Sequence, residues 1–127
     1  MLQNTARQIL VVEDEALIRM LAVDMLNTLG FEPLEAETGE EAITLAGAHL
    51  HQLSALMIDL GLPDQPGEEV IRQILALRPD LPVFVTTGSD PAAAASRLRG
   101  QGHISVLGKP YEYNDLKRVM ASLTTTA

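Results

Sequence analysis

Five side chains in this sequence have types and positions suited to phosphorus chemistry. Glu13 and Asp14 follow an apolar run at residues 9–12, Asp59 follows one at 55–58, Thr87 comes after one at 83–85, and Lys109 after one at 104–107. A charge that ends a buried run is costly unless it has a partner or a task. If Glu13, Asp14 and Asp59 converge, two carboxylates about 5 Å apart repel by roughly 3 kcal/mol at an effective dielectric near 20, so the cluster calls for a cation. Its donors are hard oxygens, with neither histidine nor cysteine among them, which favours magnesium. A carboxylate beside such a cation attacks phosphorus when the developing charge on the phosphoryl oxygens is stabilised. Lys109 offers a point charge for that purpose and Thr87 a short hydroxyl donor. The set is complete for transfer of a phosphoryl group onto Asp59.

To bring these residues together the chain needs a parallel sheet. Short runs rich in Val, Ile and Leu alternate with helix-period segments, the pattern of βαβ units. Strands are predicted at 9–12, 31–34, 55–58, 82–86 and 104–107, the second an edge strand because Pro33 interrupts it. The first helix is predicted over 16–29, with Leu17, Leu21, Met25 and Leu29 as its inner stripe and Gly30 as its stop. Thr38, with Glu41 three residues on, reads as the capping box of a second helix whose inner face carries Ala42, Leu45, Ala46 and His49. Val70, Ile71, Ile74 and Leu75 stripe a third helix that ends before Pro79. Asp90-Pro91 opens a fourth at 91–99, stopped by Gly100 or Gly102. Asn114 is read as the cap of a fifth, with Leu116, Val119, Met120 and Leu123 inward. In an open parallel sheet the ligand site lies beyond the carboxyl ends of the strands, where all five chemical residues stand. Met20, Met25, Met57 and Met120 are assigned to the core, as are Phe84 and Val106. His49, His51 and His103 lack metal-ligand spacing and read as ordinary, partly exposed histidines.

At 127 residues the chain has the size of one domain with a real core. Nine basic against 17 acidic residues leave a net charge of -8, which disfavours a nucleic-acid surface and a polybasic membrane patch. Cysteine is absent, so disulfides, thiolate metal sites and thiol nucleophiles are excluded. Residues 1–7 lack the apolar segment of a signal peptide, and no run approaches the ~20 apolar residues of a bilayer span. The expectation is a soluble cytoplasmic protein that binds proteins and cations, with a terminus at 124–127 that frays.

The motifs Val11-Val12-Glu13-Asp14-Glu15, Ile58-Asp59-Leu60-Gly61-Leu62-Pro63, Thr87-Gly88 and Lys109-Pro110-Tyr111, in this order and spacing, resemble those of two-component response-regulator receiver domains. The resemblance runs from residue 9 to about 123. It implies an α/β fold of flavodoxin-like type, a doubly wound five-stranded parallel sheet of order 2-1-3-4-5 with five helices. By motif position it implies Asp59 as phosphoacceptor and Glu13 and Asp14 as the acidic pair, Asp14 being the direct ligand of Mg2+. The Gly61 carbonyl would be a third ligand, Thr87 and Lys109 would bind the phosphoryl oxygens, and the Lys109-Pro110 peptide would be cis. The implied donor is a histidine kinase or histidine phosphotransfer protein. The whole chain, 1–127 with a core of about 8–123, would then be a stand-alone receiver, monomeric or weakly dimeric. It would be no enzyme beyond its own phosphorylation and dephosphorylation, and would act through an unknown downstream protein or as a phosphate shuttle or sink.

Three departures from the family pattern bear on signalling. Receivers commonly carry an aromatic ring three residues before the lysine, one that turns inward when the threonine moves; here that residue is Val106, stiff and β-branched. The report of phosphorylation is therefore expected from the Thr87-Gly88-Ser89-Asp90 loop and the helix after it. Gly88 replaces the usual alanine, widening the loop's backbone options, as in a variant group of stand-alone receivers with Thr-Gly at this place. Gln65-Pro66-Gly67 replaces Met-Asp-Gly, and Pro66 stiffens the turn. Three rival readings remain: a receiver-like adaptor that is never phosphorylated, an aspartate-nucleophile phosphatase and a flavodoxin-like binding module. The phosphatase pattern wants a second aspartate where Gly61 stands, and the flavin phosphate of the module would be repelled by Glu13-Asp14-Glu15.

Overall fold

Apolar side chains alternate between the two faces of every inner strand, so both faces of the sheet demand cover and helices supply it. The computed structural model describes residues 7–124. Its elements alternate in chain order: β1 (Arg7–Val12), α1 (Ala16–Thr28), β2 (Phe31–Ala36), α2 (Gly39–Ala48), β3 (Leu53–Asp59), α3 (Gly67–Leu77), β4 (Val83–Thr87), α4 (Pro91–Arg97), β5 (Ile104–Gly108) and α5 (Tyr113–Thr124). All neighbouring strands pair in parallel, in the order β2-β1-β3-β4-β5. The expected doubly wound topology is therefore present, with Pro33 on the edge strand β2.

The core has two halves. Leu10, Val12, Leu56, Ile58, Val83 and Val85 project to one face and pack with Ala42 and Ala46 of α2, Val70, Ile71 and Ile74 of α3, and Leu98 at the end of α4. Ile9, Val11, Ala55, Met57 and Phe84 project to the other, under Ala22 and Leu26 of α1 and Leu116 and Met120 of α5. Phe84 and Val106 thus belong to opposite faces, and Val106 is only half-buried beside the first cluster.

The α1 stripe is the main correction. Ala22 and Leu26 are buried, whereas Leu17 is 68% exposed, Leu21 51% and Met20 57%. Met25 and Leu29 pack only partly against the core. Apolar residues stand on more than one face of this helix, so periodicity could not choose between them, and the small Ala22 side chain lets the face it shares with Leu26 approach the sheet closely. Met20 is consequently no core residue.

The α5 cap differs as well. The helix starts at Tyr113, which makes Asn114 its second residue, and the end is closed by Asp115, whose carboxylate accepts from the Glu112 N–H at 2.8 Å. Asp115 works backward from inside the first turn, the acidic half of a capping box. At α2 the Thr38 half of the expected box is present, Oγ1 accepting from Glu41 N–H, but Glu41 Oε1 accepts from the N–H of Glu37, one residue before the cap, rather than from Thr38. Asp90 caps α4 through Ala92 N–H and Ala93 N–H, but this helix ends at Arg97, two residues earlier than predicted, before Gly100 turns the chain at φ +84°. Of the tail expected to fray, residues 125–127 lie outside the described region, as do residues 1–6 of the polar start.

Candidate functional site

Strand pleat explains which side chains meet. Glu13, Asp59 and Lys109 each stand two residues beyond an apolar residue of the α1/α5 face, namely Val11, Met57 and Leu107. Val12 pairs with Ile58, so Glu13 and Asp59 emerge side by side from β1 and β3. One oxygen each from Glu13, Asp14 and Asp59 lies within 4.8 Å of the others. Glu13 and Asp59 are 4% and 7% exposed, while Asp14 faces solvent.

Lys109 bridges the two buried acids. Its Nζ lies 2.9 Å from Glu13 Oε1 and 3.2 Å from Asp59 Oδ2. Burial opposes its charge, but the hydrogen bond to Glu13 and the nearby carboxylates outweigh that and hold the ammonium above its ordinary value. For Glu13 the balance goes the other way: burial raises its carboxyl above the usual range, although Lys109 and the Glu15 N–H, which donates to Oε2 at 3.1 Å, both favour the charged form. Three carboxylates against one ammonium leave a formal -2 in the cluster, the charge a divalent cation would match. The all-oxygen donor set fits magnesium rather than a softer metal.

Thr87 and Gly61 flank this centre. Thr87 is buried at the end of β4, its carbonyl accepts from Lys109 N–H at 2.7 Å, and its Oγ1 accepts from Ser89 N–H at 3.1 Å. It follows the opposite pleat to the acids, and its main chain, not its hydroxyl, ties it to Lys109. Gly61 lies against the Asp59 carboxylate: a Cβ there would stand 3.9 Å from Oδ2. The Lys109-Pro110 peptide is cis.

The structure also reveals supporting residues that sequence reasoning passed over. Arg19, four residues after Glu15 on α1, donates to the Glu13 carbonyl at 2.8 Å and pairs with Glu35 at 3.0 Å and Glu37 at 3.3 Å. An arginine one helical turn past a run of acids was the available signal. Tyr111 is pushed up to about 12, first by burial and then by the charges of Glu13 and Asp59. Together with Ile18, Leu21, Met25, Lys109 and Pro110 it lines an apolar groove of about 230 Å³ beside α1. Asp64, in the turn after β3, accepts from Gly39 N–H and Glu40 N–H at the start of α2, a contact between segments that only the fold brings together.

The family model described as the response regulator receiver domain matches residues 9–121. The chain belongs to that family. Among curated proteins it is 35% identical over 111 residues to the transcriptional regulatory protein PdtaR of Mycobacterium tuberculosis, covering 87% of this chain and 53% of that protein. The chain thus spans about half the length of these curated relatives. Two solved structures share the fold: a response regulator receiver domain protein from Clostridium thermocellum and the chemotaxis protein CheY4 of Vibrio cholerae. The first has a TM-score of 0.84 at 23% identity, over 92% of this chain and 93% of that one. The second has a TM-score of 0.85 at 20% identity, over 94% and 99%. A receiver is a signalling domain that accepts a phosphoryl group, and the family depends on magnesium. Among the described residues no helix of this receiver is long and apolar enough to cross a membrane.

Proposed function

We propose that Asp59 is the phosphoacceptor of this receiver, and that Glu13, Asp14, Asp59 and the Gly61 carbonyl hold Mg2+. The observation that carries this reading is the cluster of three acid oxygens within 4.8 Å, with Lys109 Nζ bridging Glu13 and Asp59. An Asp59 oxygen attacks the phosphorus of a phosphohistidine. The bond from phosphorus to the ring nitrogen breaks, and that nitrogen keeps the electron pair and takes a proton. Lys109 exchanges its contact with Asp59 Oδ2 for a phosphoryl oxygen, and the Thr87 hydroxyl turns from Ser89 N–H to donate to another. When bound, the cation neutralises charge that develops on the transferred group. Water later attacks the phosphorus, the bond to the Asp59 oxygen breaks, and inorganic phosphate leaves with the carboxylate restored.

The donor is a histidine kinase or histidine phosphotransfer protein in the cytoplasm, and output runs through protein contacts or through onward passage of the phosphoryl group. Incubation with magnesium and acetyl phosphate, followed by intact-mass measurement, tests the site. Wild type gains one phosphoryl group and Asp59→Asn gains none; equal uptake by both proteins overturns the assignment.

A further inference from the structure

The turn after Asp59 is tied down at two points. At its base, Gly67 N–H donates to the Leu60 carbonyl at 3.0 Å. A side chain at Gly67 would meet Leu60 Cα at 2.7 Å and the Asp59 carbonyl oxygen at 2.8 Å, so the turn closes tightly there. At its tip, Asp64 Oδ1 accepts from Gly39 N–H at 2.8 Å and Oδ2 from Glu40 N–H at 3.0 Å. Those two donors belong to the first turn of α2, where main-chain N–H groups have no partner within the helix. Gly39 makes the approach possible, because a Cβ there would stand 2.6 Å from Val70 Cγ2 and 2.8 Å from Gln65 Cγ. Gly61 lies between the two anchors, near enough to the Asp59 carboxylate that a Cβ there would stand 3.9 Å from Oδ2.

We propose that Asp64 is a positioning residue for the cation site: it fastens the turn to the start of α2 and thereby holds the Gly61 carbonyl in place for Mg2+. The proposal rests on the reading of Asp59 and Gly61 given above. Asp64 touches no reacting atom and acts through the backbone. Groups that orient metal ligands change affinity strongly without binding the metal. A carbonyl on a loose turn must be ordered on binding, and that ordering weakens the complex.

The test is calorimetric titration of the full chain with magnesium chloride for wild type, Asp64→Ala, Asp64→Asn and Asp59→Asn. Initial phosphorylation rates from acetyl phosphate are measured at saturating magnesium. Asp64 is exposed, so neither substitution at that position opens the core. Asp64→Ala weakens magnesium binding about tenfold. Asp64→Asn removes the same charge but keeps one oxygen acceptor, and its loss is distinctly smaller. The phosphorylation rate of both at saturating magnesium stays within about twofold of wild type, a split between affinity and rate that general destabilisation does not produce. Wild-type affinity in Asp64→Ala overturns the proposal, and so does an equal loss in Ala and Asn, which would make the effect one of charge alone. If wild type binds no magnesium, or Asp59→Asn is phosphorylated as wild type is, the site reading itself fails and the proposal falls with it.

Discussion

At the level of single residues, Lys109 decides the electrostatics of the site. Without it, Glu13 and Asp59 would be two buried carboxylates with only a cation to separate them. Lys109→Met therefore has opposite effects on binding and on chemistry. Removing a positive charge from beside three acids strengthens magnesium affinity about tenfold, since the competing ammonium is gone. Removing a donor to the transferred group slows phosphorylation by acetyl phosphate roughly a hundredfold at saturating magnesium. Calorimetry and a mass-based rate measurement check the two effects separately, and weaker magnesium binding in the variant would contradict the first. The residue set was legible in the sequence because each member ends an apolar run. What the sequence did not show is that the Thr87 hydroxyl is held by Ser89 N–H, a contact set by loop conformation.

Among the elements, α3 and α1 show where sequence pattern succeeds and where it fails. The four residues assigned to the inner face of α3, Val70, Ile71, Ile74 and Leu75, are all buried, because Glu68, Glu69, Arg72 and Gln73 mark the opposite face and only Leu77 at the end leaves a large apolar side chain exposed. On α1 apolar residues stand on several faces, so only packing against the sheet selects Ala22 and Leu26. Leu26→Ala is expected to cost about 3 kcal/mol by denaturant unfolding. Leu17→Ala, at an exposed position, costs under about 0.5 kcal/mol. The reverse ranking would restore the original stripe. At α5, the Glu112 N–H and then Arg118 hold the Asp115 carboxyl below its usual range. A depressed acid contributes stability that is present above the ordinary aspartate value, near 3.9, and is lost as pH falls through the folded value. The stability difference between wild type and Asp115→Asn should therefore shrink as thermal unfolding is followed from about pH 5 down to pH 2. A difference that grows toward low pH would contradict the capping role.

For the whole molecule, topology turns scattered residues into a site: order β2-β1-β3-β4-β5 sets β1 beside β3, and the pleat aims Glu13, Asp59 and Lys109 to one side. That much follows from strand ends and motif order. The make-up of the surface does not: Leu17, Met20 and Leu21, which sequence reasoning placed inside, are exposed. With valine at position 106, the report of phosphorylation is expected to run through the Thr87 loop and the helix after it. Val106 is half-buried beside a groove of about 280 Å³ bounded by Ala95, Leu98, Arg99 and Ile104. The helix beyond the Thr87 loop is short and buries only Ala94 along its length, so little packing opposes its movement. Amide shift changes on beryllofluoride binding should concentrate in residues 87–97, and changes confined to β5 would contradict this route.

The expectations for the site and its signalling depend on where the phosphoryl group attaches. The direct measurement is borohydride reduction of the protein after acetyl phosphate treatment, which converts an aspartyl phosphate to homoserine, followed by peptide mapping. Homoserine at position 59 alone, and only when magnesium is present, is the predicted result. Homoserine at Asp14, Asp64 or any other acid, or phosphoryl uptake that leaves Asp59 unmodified, would contradict the proposed chemistry.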